Sequence, residues 1–129
     1  MISRGPVFIS HAVGDRPFAE ELSRALRAKG VEATGTWELG DDAADVEEEL
    51  RRAITSARAW LVLLSDSALL SPSVFFELGA AIEGRQQPTL VFLSDRARLE
   101  APEALRRIAA IDADTLRPDD VAEKVVAAA

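Results

Sequence analysis

Short apolar runs alternate along this chain with stretches whose apolar residues recur at helical spacing. The most apolar run is Ala59-Trp60-Leu61-Val62-Leu63-Leu64, bounded by Ser65-Asp66-Ser67. A run of that length with polar borders predicts a buried strand. Pro6-Val7-Phe8-Ile9-Ser10, after Gly5, predicts a buried first strand, and Thr89-Leu90-Val91-Phe92-Leu93, after Pro88, predicts another. Residues 31–37 are weakly apolar (Val31, Ala33, Thr34, Trp37), as an edge strand often is. Residues 111–116 can supply a weak fifth strand.

Helical patterns fill the gaps. Phe18, Leu22, Ala25 and Leu26 share one helical face. Asp15 is placed to cap that helix, Pro17 is tolerated in its first turn, and Lys29-Gly30 closes it. Residues 43–57 predict a second helix with Val46, Leu50, Ala53, Ile54 and Ala57 inward. Glu47 with Arg51 and Glu48 with Arg52 form i,i+4 pairs on it. That charge run reads as a solvated face, with a protein-docking face as the alternative. Ser71-Pro72 predicts a helix start that carries Glu77 and runs to about Gly84. Residues 94–99 read as a polar connection and 102–110 as a short helix. Pro118-Asp119-Asp120 opens a last helix with Val121, Val125 and Val126 inward.

Strands alternating with helices imply a parallel sheet covered on both faces. Right-handed crossovers then favour a flavodoxin-like α/β three-layer sandwich, a five-stranded sheet in the order 2-1-3-4-5. Its switch point lies between strands 1 and 3. That topology brings together the loop from Ser10 to Asp15, the segment from Ser65 to Glu77, and the loop Trp37-Glu38-Leu39-Gly40-Asp41-Asp42. The pattern shows no internal repeat, low-complexity tract or linker, so residues 1–129 are expected to form one domain.

Composition removes several functions. The chain has no cysteine and only one histidine, His11, which excludes thiolate and multi-histidine metal sites. The net charge of −7 argues against sequence-independent nucleic-acid binding, which needs a basic surface. No apolar segment reaches transmembrane length, and the first residues lack a signal-peptide apolar region. A cytoplasmic protein is expected. There is no Gly-rich phosphate loop of the Walker or GxGxxG kind.

Glu77 is the candidate with most chemical interest. Phe75, Phe76, Leu78, Ala80 and Ala81 surround it in sequence. A carboxylate in such company must line a cleft, be paired or be neutralised, unless it simply lies on the solvated side of an amphipathic helix. Its expected place is near the carboxyl end of a central strand, where open α/β sheets bind ligands. Ser10, His11 and Ala12 follow strand 1 and can offer hydroxyl, imidazole and backbone groups. His11 is alternatively a loop histidine with local hydrogen bonds. Trp37 can stack on a ligand ring or pack in the core. Trp60 reads as core. Ser65, Ser71 and Ser73 are further candidate pocket hydroxyls, Ser71 also serving as a helix cap.

Four segments resemble the TIR (Toll/interleukin-1 receptor) domain family, its bacterial members in particular. They are Val7-Phe8-Ile9-Ser10-His11-Ala12 with Asp15; Trp37-Glu38-Leu39-Gly40-Asp41 at the position of the family's BB loop; Ala53-Ile54-Thr55-Ser56-Ala57-Arg58 with Leu61-Val62-Leu63-Leu64-Ser65; and Phe76-Glu77-Leu78-Gly79-Ala80-Ala81, which matches the helix bearing the family's catalytic glutamate. The resemblance implies an enzyme that cleaves NAD+, taken as substrate and not as a prosthetic group, with Glu77 catalytic. It implies a hydrolase or cyclase effector in antiphage defence. It also implies self-association through TIR–TIR contacts that include the loop Glu38-Leu39-Gly40-Asp41-Asp42, and a fused or separate sensor or effector domain. The alternative is a non-catalytic adaptor that acts by self-association. Enzymatic members often carry Trp four residues before the glutamate, where this chain has Ser73. A nucleoside deoxyribosyltransferase-like enzyme would use a similar Glu on a related fold. A phosphoacceptor receiver would need acidic residues where strands 1 and 3 end, and here those strands end in Ser10 and Ser65.

Overall fold

The computed structural model describes residues 6–35, 52–53, 56–69, 88–100 and 110–128. Five strands are present: β1 (Val7–Ser10), β2 (Ala33–Gly35), β3 (Ala59–Leu64), β4 (Thr89–Phe92) and β5 (Ala110–Asp112). All pair in parallel, in the order β2-β1-β3-β4-β5. This is the flavodoxin-like topology expected from the alternating pattern. Four helices are described: α1 (Arg16–Ala28), α2 (Asp66–Leu69), α3 (Asp95–Glu100) and α4 (Pro118–Ala128). A 3-10 turn, Val13–Asp15, precedes α1.

Alternate strand residues divide the core into two layers, because successive side chains leave opposite faces of a strand. Val7, Ile9, Leu61, Leu63 and Val91 pack under α1 and α4, against Ala19, Leu22, Leu26, Val121 and Ala122. Phe8, Trp60, Val62, Leu64, Leu90 and Phe92 fill the other layer with Ala68 of α2 and Ala97 of α3. Ala53 and Ala57 pack against that second layer. The central strands are apolar on both faces, which is why they read as continuous runs and not as alternating ones.

The close of α1 follows from one glycine. Gly30 has φ 83°, a left-handed value that L side chains resist. Its N–H bonds the Arg27 carbonyl at 3.0 Å, and the Val31 N–H bonds the Leu26 carbonyl at 2.9 Å. These are the two bonds of a Schellman close. They explain why Val31, expected inside the second strand, instead belongs to the helix end, with β2 beginning at Ala33.

Other boundaries also differ from expectation. The polar connection at 94–99 is helical: α3 begins after Ser94, whose oxygen accepts the Ala97 N–H at 3.0 Å. An Arg96–Glu100 pair at 3.0 Å supports it. With only Ala97 turned inward, α3 is too short to show a helical period in sequence. In the same way Asp66 and Ser67 belong to α2 and not to a loop. Ala110, placed in a helix by the pattern, opens β5, which ends at Asp112 before a turn in which the Leu116 N–H bonds Ala113 at 3.2 Å. In α4 the fully enclosed pair is Val121 and Ala122, while Val126 is half-buried. The BB-loop segment, the helical pairs of Glu47 and Glu48, and the Glu77 helix lie outside the described residues.

Candidate functional site

Where β1 and β3 lie side by side, the chain leaves β1 toward β2 on one side and returns as β3 on the other. The groups that follow these two strands therefore flank the crevice where open α/β sheets bind ligands.

Ser10 ends β1 but faces inward. It is fully buried, and its oxygen accepts the Trp60 indole N–H at 2.9 Å. The two residues sit diagonally across the β1–β3 pairing, in which Phe8 opposes Trp60 and Ser10 opposes Val62. Ser10 is thus not displayed at the strand edge as a pocket hydroxyl. It satisfies an indole donor that would otherwise be buried alone. Replacing Ser10 with Ala is expected to cost about 1–3 kcal/mol, since it leaves that donor without its acceptor. Urea unfolding measures this, and Ser10→Ala combined with Trp60→Phe should recover part of the loss.

His11 is half-buried just past the end of β1. Its Nδ1 lies 2.7 Å from the Ala12 carbonyl oxygen. A carbonyl only accepts, so Nδ1 carries the proton, and in a neutral ring Nε2 is then the acceptor nitrogen. Ala12 is buried and packs with Phe8 and Trp60. The Asp15 N–H returns to the Ala12 carbonyl at 2.9 Å, which closes the turn. Val13, by contrast, is 91% exposed at its tip.

Asp15 occupies the N-cap position of α1 yet makes no side-chain cap bond. Its carboxylate instead accepts the hydroxyl of Ser65, at the end of β3. The Ser65 oxygen also accepts the Ala68 N–H at 3.1 Å and so caps α2. One strand further along, the arrangement recurs. Ser94 caps α3 and donates its hydroxyl to Asp66 Oδ1 at 2.6 Å. The carboxyl edge is therefore stitched by two serine-to-aspartate bonds, each reaching toward β1. Beside it, the Arg16 guanidinium bonds Glu20 at 2.8 Å and holds that carboxyl below the usual carboxylate range, with Arg24 adding to the effect.

A family model described as TIR domain matches residues 7–126. The chain belongs to the TIR domain family. A search of curated proteins finds no match to it. TIR domains include NAD+-cleaving enzymes as well as adaptors, and commonly self-associate. Among the described residues of this TIR domain no helix is long and apolar enough to cross a membrane.

Of the site residues expected from sequence, His11, Ala12 and Ser65 follow the ends of β1 and β3, where Ser65 reaches Asp15 of the turn after β1, while Ser10 is buried against Trp60. Trp37, Ser71, Ser73 and Glu77 lie outside the described residues. Sequence reasoning missed the cross-strand role of Asp15 and the whole Ser94–Asp66 bond. A signal was present for the two capping serines, though not for Asp15. Residues 64–70 and 93–99 share the pattern Leu-Ser-Asp-x-Ala-x-Leu, a short repeat overlooked beside the longer periodicities. Its serine caps, and its alanine (Ala68 or Ala97) is fully buried under the sheet.

Proposed function

We propose that this TIR domain cleaves NAD+ at the bond between ribose and nicotinamide, as a cytoplasmic, assembly-activated effector of bacterial antiphage defence. The observation that carries the reading is Phe76-Glu77-Leu78-Gly79-Ala80-Ala81, the match to the family's glutamate-bearing helix, in a chain whose family membership spans residues 7–126. The bond breaks through an oxocarbenium-like state, as in glycoside cleavage. Nicotinamide leaves as a neutral group and needs no proton from a general acid. A fixed carboxylate beside the developing positive ribose lowers the barrier, and Glu77 supplies it. His11 and Ala12 take the part of substrate-contacting groups at the β1 end, with Trp37, Ser71 and Ser73 completing the pocket. Attack by water gives hydrolysis; attack by an adenine nitrogen gives cyclisation.

Nicotinamide release by the full chain, followed across a wide range of protein concentration, tests this. A rate that rises faster than linearly is the expected result, because self-association through the loop Glu38-Leu39-Gly40-Asp41-Asp42 completes the site. A folded sample that releases no nicotinamide at any concentration overturns it and leaves the second reading, an adaptor that works by self-association. Ser73, where active members often carry Trp, is the observation that favours that alternative.

A further inference from the structure

We propose that the hydrogen bond from Ser65 to Asp15 is a positioning latch, which holds the loop carrying His11 and Ala12 against the end of β3 and so sets how well that loop engages a bound nucleotide. The proposal rests on the NAD+-cleaving reading of the crevice.

The bond joins side chains 50 residues apart in sequence, one from the turn that follows β1 and one just past the end of β3, the strands flanking the switch point. It is half-buried, and both partners are placed for it. Asp15 stands where an aspartate usually caps a helix, yet its side chain makes no cap bond and reaches across to Ser65. The Ser65 oxygen receives the Ala68 N–H, which occupies one lone pair and leaves the hydroxyl hydrogen to point at the carboxylate. A second contact lies beside the first. A β-carbon on Gly14 would sit 3.4 Å from Ser67 Oγ, so the turn runs close beside α2 there. The turn packs between α1 and α2. The hydroxyl and oxygen of Ser65 are thus both engaged within the protein, which makes it a positioning residue and not a ligand contact.

Ser94 provides an internal comparison. It has the same place at a strand end, the same capping bond and a carboxylate partner. Its bond is exposed and joins β4 to α2, away from the switch point. A general loosening of the edge would follow from losing either bond; a loss of loop position follows only from losing the Ser65 bond.

The latch acts on binding. If the loop is correctly placed only part of the time, apparent affinity falls by that fraction. Hydrogen bonds to carboxylates are among the stronger ones, and losing this bond is expected to raise KM for NAD+ about tenfold with kcat within about threefold of wild type. The experiment compares Ser65→Ala, Ser65→Thr and Ser94→Ala in the full chain. Ser65→Thr keeps the hydroxyl and should restore KM to within about threefold, and Ser94→Ala should leave KM unchanged. An equal rise in KM for Ser94→Ala, or a Ser65→Ala variant that loses only thermal stability, overturns the latch. Wild type that cleaves no NAD+ defeats the enzymatic reading, and hydrogen exchange then judges the latch separately. Faster exchange of the Asp15 amide in Ser65→Ala, reversed in Ser65→Thr, supports it. Unchanged exchange overturns it.

Discussion

Glu77→Ala is expected to lower nicotinamide release by about a hundred- to a thousand-fold, the size of effect seen when one preorganised electrostatic group is removed from an active site. KM should change little, because the carboxylate is proposed to act on the charge that develops at the ribose and not on the ground state. Circular dichroism and the melting transition should match those of wild type. Glu77→Gln separates two ways the side chain can work. The amide keeps the shape and an oxygen able to accept from ribose hydroxyls, but has no charge. If Gln is as inactive as Ala, the fixed negative charge is the operative feature. If Gln retains most of the rate, Glu77 holds the ribose hydroxyls instead. Full turnover by Glu77→Ala removes Glu77 from the mechanism.

The central strands β1, β3 and β4 were legible because they are buried on both faces and read as unbroken apolar runs, whereas the edge strands β2 and β5 gave only weak signals. β3 has the bounds expected from Ala59 to Leu64. Alternation and handedness left few topologies, and the favoured order, 2-1-3-4-5, is the one observed. What escaped was short or cross-strand. α2 and α3 are too brief to display a period, and their signature is instead a capping serine at a strand end followed by one small inward residue. Asp15 looked like an ordinary helix cap from its place before Arg16 and Pro17. Nothing local says that its partner is Ser65, since tertiary contact decides between a cap and a cross-strand bond. Ser10 illustrates the same limit. A serine after a buried strand reads as a pocket group, and only the pairing of β1 with β3 brings the Trp60 indole onto it. Glu77 stood out from its apolar neighbours and its expected place near the end of a central strand, and the family resemblance then gave it the catalytic part.

Phe8→Ala is expected to be the most damaging single change to the fold, at about 3–5 kcal/mol. Phe8 is fully buried in β1, with β2 and β3 on either side, and opposes Trp60 across the pairing. Among the described residues, the layer it fills holds Trp60, Val62, Leu64, Leu90 and Phe92 of the sheet, with Ala53, Ala57, Ala68 and Ala97 packed against them. A close-packed interior relaxes only partly around the space left by a missing ring, and that residual void sets the cost. Total stability of a domain this size is about 5–15 kcal/mol, so the variant loses a large part of it. Urea unfolding should show a lower midpoint at an unchanged slope, which marks a loss of native packing and not a change in the denatured chain. Phe8→Leu, which leaves a smaller void, should cost clearly less. A loss under about 1 kcal/mol for Phe8→Ala would mean that the layer repacks around the missing ring.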